Sequence, residues 1–253
     1  MSALDLRPAA AAAPRTGRIV RHALLEARLV VRNGEQLLLA LVIPLALIVG
    51  QAFLGGRLGI DANSFVPSVI ALGLWSTGFT SLAITTAFER RYGVLERLAA
   101  TPLRPIDLLL GKALAMVALA VGQAVVLGIA GLLAGWTPRP EGWQYLVVVA
   151  TVPLALIAFA SAALALSGRG SAELTLGLAN LIYLIGAAAG VLVPPSLFPG
   201  WLQPILSWLP TTALADALRD WAAGAVDAGP VLVTLLWSIA GLLLARKAFR
   251  WTS

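Results

Sequence analysis

Six long apolar runs constrain the fold of this chain more than any other feature of its sequence. A helix that crosses a bilayer needs about 20 predominantly apolar residues, and every run is close to or above that length. The runs lack the alternating polarity of barrel strands, and backbone groups in hydrocarbon must be hydrogen-bonded internally. We therefore predict an all-α polytopic membrane protein with six transmembrane helices. The predicted spans are 36–54, 65–88, 108–135, 143–167, 174–193 and 230–248.

The composition excludes several kinds of chemistry. The chain has no cysteine and a single histidine, His22, which rules out disulfides, thiolate sites and multi-histidine metal sites. The pattern GxxxxGK[ST] does not occur, so the chain cannot bind ATP through a P-loop. No predicted span has a charge near its centre, which argues against a proton- or sodium-coupled pump. We predict no catalytic residue, no metal site and no cofactor bound by this chain.

The positive charges sort by side of the membrane. Fifteen of the 18 Lys and Arg residues fall on the side that carries both termini and the loop after the second span. Only Arg57, Arg139 and Arg219 fall on the other side. The excess of Lys and Arg on cytoplasmic loops predicts that both termini are cytoplasmic. This sorting explains the net charge of +6 better than a nucleic-acid partner does. The many arginines and alanines are typical of a GC-rich bacterial genome, which suggests a bacterial plasma membrane.

The segment between the second and third spans, FERRYGVLERLAATPLRP, is charged and amphipathic. Wound as one helix over 88–100, it places Phe88, Tyr92 and Leu95 on the same face. Pro102 then ends the helix, because proline removes a donor and disfavours the α region before it. Such a helix can contact a soluble partner and transmit its movement to the spans. The alternative is a solvated loop that only joins two spans.

The N-terminal region combines a flexible tail, predicted over 1–15, with an amphipathic helix over 16–34. Apolar residues of this helix fall in one arc, and arginines form a stripe opposite. The pattern suits a helix in the cytoplasmic membrane interface, with arginines toward anionic headgroups. A soluble helix packed on a partner is the alternative.

The loop over 194–229 is long for a plain connection and is rich in Trp and Leu. Prolines interrupt its first half, and its second half has the spacing of an amphipathic helix. We predict two short external helices that re-enter the outer leaflet, with tryptophans at the headgroup level. An ordinary structured extracellular loop is the alternative.

A few polar residues lie within the predicted spans. The second span carries small hydroxyl residues at helical spacing, a pattern that allows close helix packing and hydrogen bonds. The fifth span carries a bulkier amide and a phenol. These residues either line a substrate path or bond to a neighbouring helix. The candidates are Ser76, Thr77, Thr80, Asn180 and Tyr183.

Taken together, these features resemble the transmembrane subunit of type-2 ATP-binding-cassette (ABC) exporters, most closely the bacterial drug-efflux and daunorubicin-type permeases. The match rests on ERRYGVLERLAATPLRPIDLLLGK after the second span and on LFPGWLQPILSWLPTTALADALR before the last. The family pattern in the first stretch is roughly E-R-x-x-G-x-L-E-x-L-x-x-[ST]-P-[LV]. Its fixed positions correspond here to Glu89, Arg90, Gly93, Leu95, Glu96, Leu98, Thr101, Pro102 and Leu103.

The resemblance implies a mechanism and partners. The chain would form a single permease domain over 1–253, pair with a second permease, itself or a sister chain, and contact membrane lipid. Cytoplasmic ABC ATPase subunits would bind ATP and Mg and drive export of a hydrophobic or amphipathic drug, lipid or glycan-like substrate. A non-transporting scaffold or assembly subunit and a secondary carrier are the alternatives. The implied ATPase-coupling residues are Phe88, Glu89, Arg90, Tyr92, Gly93, Leu95, Glu96, Arg97, Thr101 and Pro102, and the implied exit region contains Phe198, Trp201, Trp208 and Pro210.

Overall fold

The computed structural model describes residues 13–34, 38–101, 104–168 and 170–248. Every regular element in these ranges is helical, so the all-α prediction is confirmed for them. Short π-helical turns occur at Leu38–Val42, Ser76–Ser81 and Ala187–Val191. The α-helices are α1 (Arg15–Arg32), α2 (Ile43–Leu58), α3 (Ala62–Arg91), α4 (Val94–Ala99), α5 (Pro105–Leu133), α6 (Tyr145–Ser167), α7 (Ala172–Gly186), α8 (Gln203–Ser207), α9 (Pro210–Ala223) and α10 (Gly229–Ala248).

Five helices are long and apolar enough to cross a membrane, which agrees with the first five predicted spans. The sixth predicted span corresponds to α10, whose described apolar stretch, Gly229–Ala245, is shorter. Six spans therefore stay a prediction. The five candidate spans are Ala40–Leu58, Ala62–Arg91, Ile106–Leu133, Gly142–Ser167 and Ala172–Val191.

Helix α3 lies at the centre of the bundle and is buried along almost its whole length, whereas the other candidate spans are largely exposed. Aromatic stacking contributes to this core. The Trp75 ring lies 4.3 Å from the Phe79 ring and 4.6 Å from the Phe159 ring, centroid to centroid. A Cβ at Gly78 would lie 3.2 Å from the Phe159 Cβ. The absence of a side chain at this position lets α3 and α6 approach closely.

The other helices surround α3. Helices α2, α5, α6, α7 and α9 pack against it, while α10 packs on α6 and α1 packs on α5. Helices α5 and α6 hardly touch each other. We call the end of the bundle with α1, α4 and the start of α5 the α1 end. The opposite end, where the Arg139 N–H donates to the Ala222 carbonyl (2.9 Å), is the α9 end.

Helix boundaries differ from the sequence-based expectations in two places. Arg15, the last residue of the predicted tail, begins α1 and pairs with Asp107 at 2.8 Å, while residues 1–12 of that tail lie outside the described ranges. The fifth predicted span, 174–193, is not one continuous helix. Helical geometry is lost at Ala189, and Gly190 has a φ of +99°. Short helices α8 and α9 lie within the predicted re-entrant region.

Candidate functional site

The segment after α3 forms two helices rather than the single helix predicted over 88–100. Helix α3 ends at Arg91, and α4 begins at Val94. Between them Gly93 has a φ of +64° and a ψ of +23°, the left-handed region that glycine enters without steric cost. A Cβ there would meet only a Glu96 carboxylate oxygen, at 3.7 Å. Backbone conformation therefore explains this glycine, and the prediction of one continuous helix is wrong.

The turn and α4 present an exposed surface. The Tyr92 side chain is 60% exposed, and its ring lies 6.0 Å from the half-buried Phe88 ring. Glu96 and Arg97 are exposed on α4. The Thr101 hydroxyl donates to the Leu98 carbonyl at 2.6 Å and closes the last turn. Of the predicted coupling residues, Pro102 and the Leu95 side chain lie outside the described part of the chain.

Two arginines attach this surface to the start of α7. The Arg90 guanidinium donates to the Gly170 carbonyl. The Arg91 guanidinium forms an ion pair with Glu173 and also lies 5.8 Å from the centre of the Tyr92 ring. The predicted coupling residues Arg90 and Tyr92 therefore belong to a unit that also includes the loop before α7.

A buried ion cluster supports the same end of α3. The Lys112 ammonium lies 2.7 Å from a Glu89 carboxylate oxygen and 2.8 Å from a Glu26 carboxylate oxygen. These three residues come from α5, α3 and α1, and all three are buried. Glu89, predicted to face a partner, is therefore not on the exposed surface. We call Glu26, Glu89 and Lys112 the ion cluster.

His22 extends the ion cluster along α1. Its Nε2 lies 3.3 Å from the Glu26 carboxylate, and burial lowers the pKa of His22, which the Glu26 charge opposes. A Cβ at Gly111 would collide with the His22 ring, so α1 and α5 approach each other closely here. Sequence reasoning assigned no role to His22. The His22–Glu26 spacing of four residues was the available signal, since it places both on one helix face.

The predicted substrate-path residues on α3 are buried, and one of them has a structural role. The Thr77 hydroxyl donates to the Gln123 side-chain oxygen at 2.7 Å, and the Gln123 amide donates to the Ala40 carbonyl. This chain of bonds joins α3, α5 and the π-helical turn before α2. Ser76 and Thr80 are also buried, and the Thr80 hydroxyl has no hydrogen-bond partner among the described residues.

The predicted substrate-path residues on α7 present polar atoms without partners. Tyr183 is buried, and neither its hydroxyl nor the Asn180 side-chain oxygen has a hydrogen-bond partner within the described ranges. The Trp75 indole nitrogen also has none there, and it would lie 3.2 Å from a Cβ at Gly186. Hydrogen bonding to a neighbouring helix, the alternative for Asn180 and Tyr183, is not observed among these residues.

The predicted exit residues lie at the α9 end. Trp201 and Trp208 are 73% and 57% exposed, and the Trp208 carbonyl accepts a hydrogen bond from the Trp237 indole at 2.7 Å. The Phe198 carbonyl accepts from the Gln203 side chain at 2.9 Å. Pro210 is the first residue of α9, a position where proline costs no hydrogen bond.

Sequence reasoning missed the role of Arg219, which it counted as an external charge. This buried guanidinium donates to the carbonyls of Val191 (2.8 Å) and Gly190 (3.0 Å), at the break after α7. It also donates to the Ser68 hydroxyl at 2.7 Å and pairs with Asp216 at 2.5 Å. Arg219 thus joins α9 to α3 and to the broken end of the fifth candidate span. The spacing of three residues between Asp216 and Arg219 indicates that one pair, but no local pattern in the sequence indicates the other partners.

The sequence is similar to a known protein family. A family model described as ABC-2 family transporter protein matches residues 58–245. This chain belongs to the ABC-2 transporter family. The matched part of this ABC-2 protein runs from the end of α2 into α10, so it includes the turn at Gly93 and the Arg219 contacts. The family and the apolar helices together identify a multi-pass membrane protein.

Two relatives are similar over most of the chain. A probable doxorubicin resistance ABC transporter permease protein, DrrC of Mycobacterium tuberculosis, is 29% identical over 177 residues, which are 69% of this chain and 63% of DrrC. The putative transport permease ycf38 of Porphyra purpurea is 28% identical over 164 residues, which are 62% of this chain and 55% of that relative. The matched region therefore spans less than two thirds of either relative.

Proposed function

We propose that this ABC-2 protein is the permease subunit of an ATP-driven exporter. The observation that carries the proposal is the exposed surface of Tyr92, Glu96 and Arg97 beyond the end of α3. Helix α3 is the central helix of the bundle, so a force on this surface acts on the element that contacts most of the others. The ion cluster and the arginine contacts to α7 extend the same connection to α1, α5 and α7.

The partner at this surface is a cytoplasmic ABC ATPase, which binds ATP and Mg and supplies the energy. The α1 end then faces the cytoplasm, and the α9 end faces outward. A second permease subunit completes the exporter, which lies in a bacterial plasma membrane with six spans per chain. Helix α1 lies in the membrane interface, and α8 and α9 dip into the outer leaflet.

The substrate is hydrophobic or amphipathic, such as a drug, lipid or glycan-like molecule. Among the described residues, the Tyr183 hydroxyl, the Asn180 oxygen and the Thr80 hydroxyl have no hydrogen-bond partner. This supports a path between α3 and α7, because buried polar groups ordinarily have partners. The similarity to DrrC, a probable doxorubicin resistance permease, supports a drug as one substrate class.

Recovery of the ATPase partner tests this proposal. We expect affinity purification of the full chain from its native membrane to recover a P-loop ATPase, and the chain alone to hydrolyse no ATP above a detergent blank. Tyr92→Ala combined with Glu96→Arg should reduce the recovered ATPase at least tenfold. Trp143→Ala is the matched control, because this aromatic is exposed to a similar degree (58% against 60%) but lies near the α9 end. Equal recovery from both variants would show that the α3–α4 surface is not the ATPase contact.

The proposed orientation makes a separate prediction. The chain has no native cysteine, so single cysteines can be introduced without background. We expect a membrane-impermeant maleimide added to intact cells to label Asp227→Cys and to leave Arg97→Cys unlabelled until the cells are opened. Both native side chains are charged and exposed, and Asp227 lies between α9 and α10, outside the helices proposed to enter the leaflet. Labelling of position 97 in sealed cells would reverse the proposed topology.

A further inference from the structure

An apolar groove of about 580 Å³ lies between α5 and α6. Both helices pack on α3 and hardly touch each other, so the space between them opens to the side of the bundle. Helices α3 and α9 contribute to its lining. None of the substrate-path residues on α3 and α7 lines this groove. Representative lining residues are Leu74, Met116, Ala120, Gly128, Leu156 and Leu218.

Small side chains on α5 create the groove. Ala113, Ala120, Ala124 and Gly128 all line it, and a Cβ built at Gly128 would meet no atom of the described residues within 4 Å. From residue 113 to residue 128, a helix rises about 22 Å at 1.5 Å per residue. The groove therefore follows most of the hydrocarbon thickness of a bilayer, which is about 30 Å.

Two tryptophans border the groove at the α9 end. Trp136 and Trp221 both line it, and their ring centroids are 6.2 Å apart. Both indole nitrogens are buried, and neither has a hydrogen-bond acceptor in the part of the chain that the structure describes. Arg139, an exposed cation, lies at the same end, where its backbone bonds to Ala222 beside Trp221.

We infer that this groove binds one acyl chain of a membrane phospholipid. The apolar lining accommodates the hydrocarbon, and the headgroup lies at the α9 end, where Trp136 and Trp221 mark the level of the membrane interface. The exposed guanidinium of Arg139 complements the lipid phosphate. The site is independent of ATP-driven export, and it requires only that the bundle lies in a bilayer.

The size of the groove suits a lipid chain. A volume of about 580 Å³ lies within the usual range of about 300–1,000 Å³ for small-molecule sites. A single hydrocarbon chain is therefore the occupant that fits.

Native mass spectrometry of the full chain, extracted from membranes in mild detergent, tests the inference. We expect one phospholipid per chain in the wild type and at least a tenfold smaller lipid-bound fraction in Gly128→Phe, whose ring fills the groove. The matched control is Gly122→Phe, on the same helix and also facing open space, but bordering a different crevice beside Gln123. Equal retention in all three proteins would overturn the site.

A phospholipid with a photoactivatable group in the middle of its acyl chain gives an independent measurement. In vesicles, we expect adducts to concentrate on the groove-lining parts of α5 and α6, and to be several times fewer on Leu242 and Leu243 of α10, which are about half exposed. Equal labelling of the groove and α10 would indicate only surrounding bilayer lipid and would overturn the inference. If Gly128→Phe does not fold, Val121→Trp replaces it, since Val121 lines the groove and is 59% exposed.

Discussion

Gly93→Val is expected to reduce ATP-driven export at least tenfold at matched protein levels. The Gly93 backbone has a φ of +64°, a conformation that costs an L-residue about 1–2 kcal/mol and is least accessible to β-branched side chains. Valine should therefore change the direction in which α4 leaves α3 and displace Tyr92 and Glu96 from the proposed ATPase surface. Uptake of substrate into inside-out vesicles that contain the permease and its ATPase measures the effect.

Gly93→Asn is the matched control, because asparagine adopts the left-handed conformation more readily than most residues. We expect it to retain most of the export activity. The control also separates two explanations of this glycine. If Gly93 is needed for close approach of a partner backbone, asparagine and valine should both abolish export. If backbone conformation is the requirement, only valine should do so. Near-normal export by Gly93→Val would contradict both explanations.

Lys112→Met is expected to cause the largest loss of stability. It would leave the Glu26 and Glu89 carboxylates buried without their shared cation. Removing one partner of a buried ion pair costs about 3–5 kcal/mol, which is a large part of the stability of a typical domain. Thermal unfolding of the purified full chain in detergent, followed by size-exclusion chromatography, should show a lower midpoint and little folded protein.

A triple variant distinguishes the contribution of charge to this loss of stability from the contribution of packing at the ion cluster. Combining Lys112→Met with Glu26→Gln and Glu89→Gln removes all three charges, so we expect it to recover most of the lost stability. Arg97→Met removes a cation from an exposed position on α4, where substitutions usually change stability by less than about 0.5 kcal/mol. Wild-type stability of Lys112→Met alone would show that the cluster does not hold α1, α3 and α5 together.

The broad architecture could be predicted because it depends on local properties. A span is recognised from the hydropathy of about 20 consecutive residues, and all five candidate spans overlap predicted runs. The approximate position of the segment between α3 and α5 followed from the same kind of pattern, a charged stretch ended by Thr101 and Pro102. What periodicity could not reveal was the break at Gly93, because glycine is compatible with both a continuous helix and a left-handed turn.

Contacts between distant residues could not be predicted from one sequence. Glu89 fits the exposed face of an amphipathic helix, yet Lys112 and Glu26, from α5 and α1, surround it. Arg219 was counted among the external positive charges, yet its guanidinium donates to the carbonyls of Gly190 and Val191. Lys112 and Glu26 are 23 and 63 positions from Glu89, and the carbonyls that Arg219 binds are 28 and 29 positions away. Hydropathy carries no information on such pairs.

The contacts of Arg219 also bear on the order in which the protein can be assembled during synthesis. The carbonyls of Gly190 and Val191 accept hydrogen bonds from a residue 28 or 29 positions later in the chain. When the ribosome has just completed the fifth candidate span, that donor has not yet been made. An unsatisfied backbone group in hydrocarbon costs several kcal/mol, so we expect the end of this span to stay near water until α9 has emerged. Completion of the fifth span is therefore expected late in biogenesis, when Arg219 binds the two carbonyls.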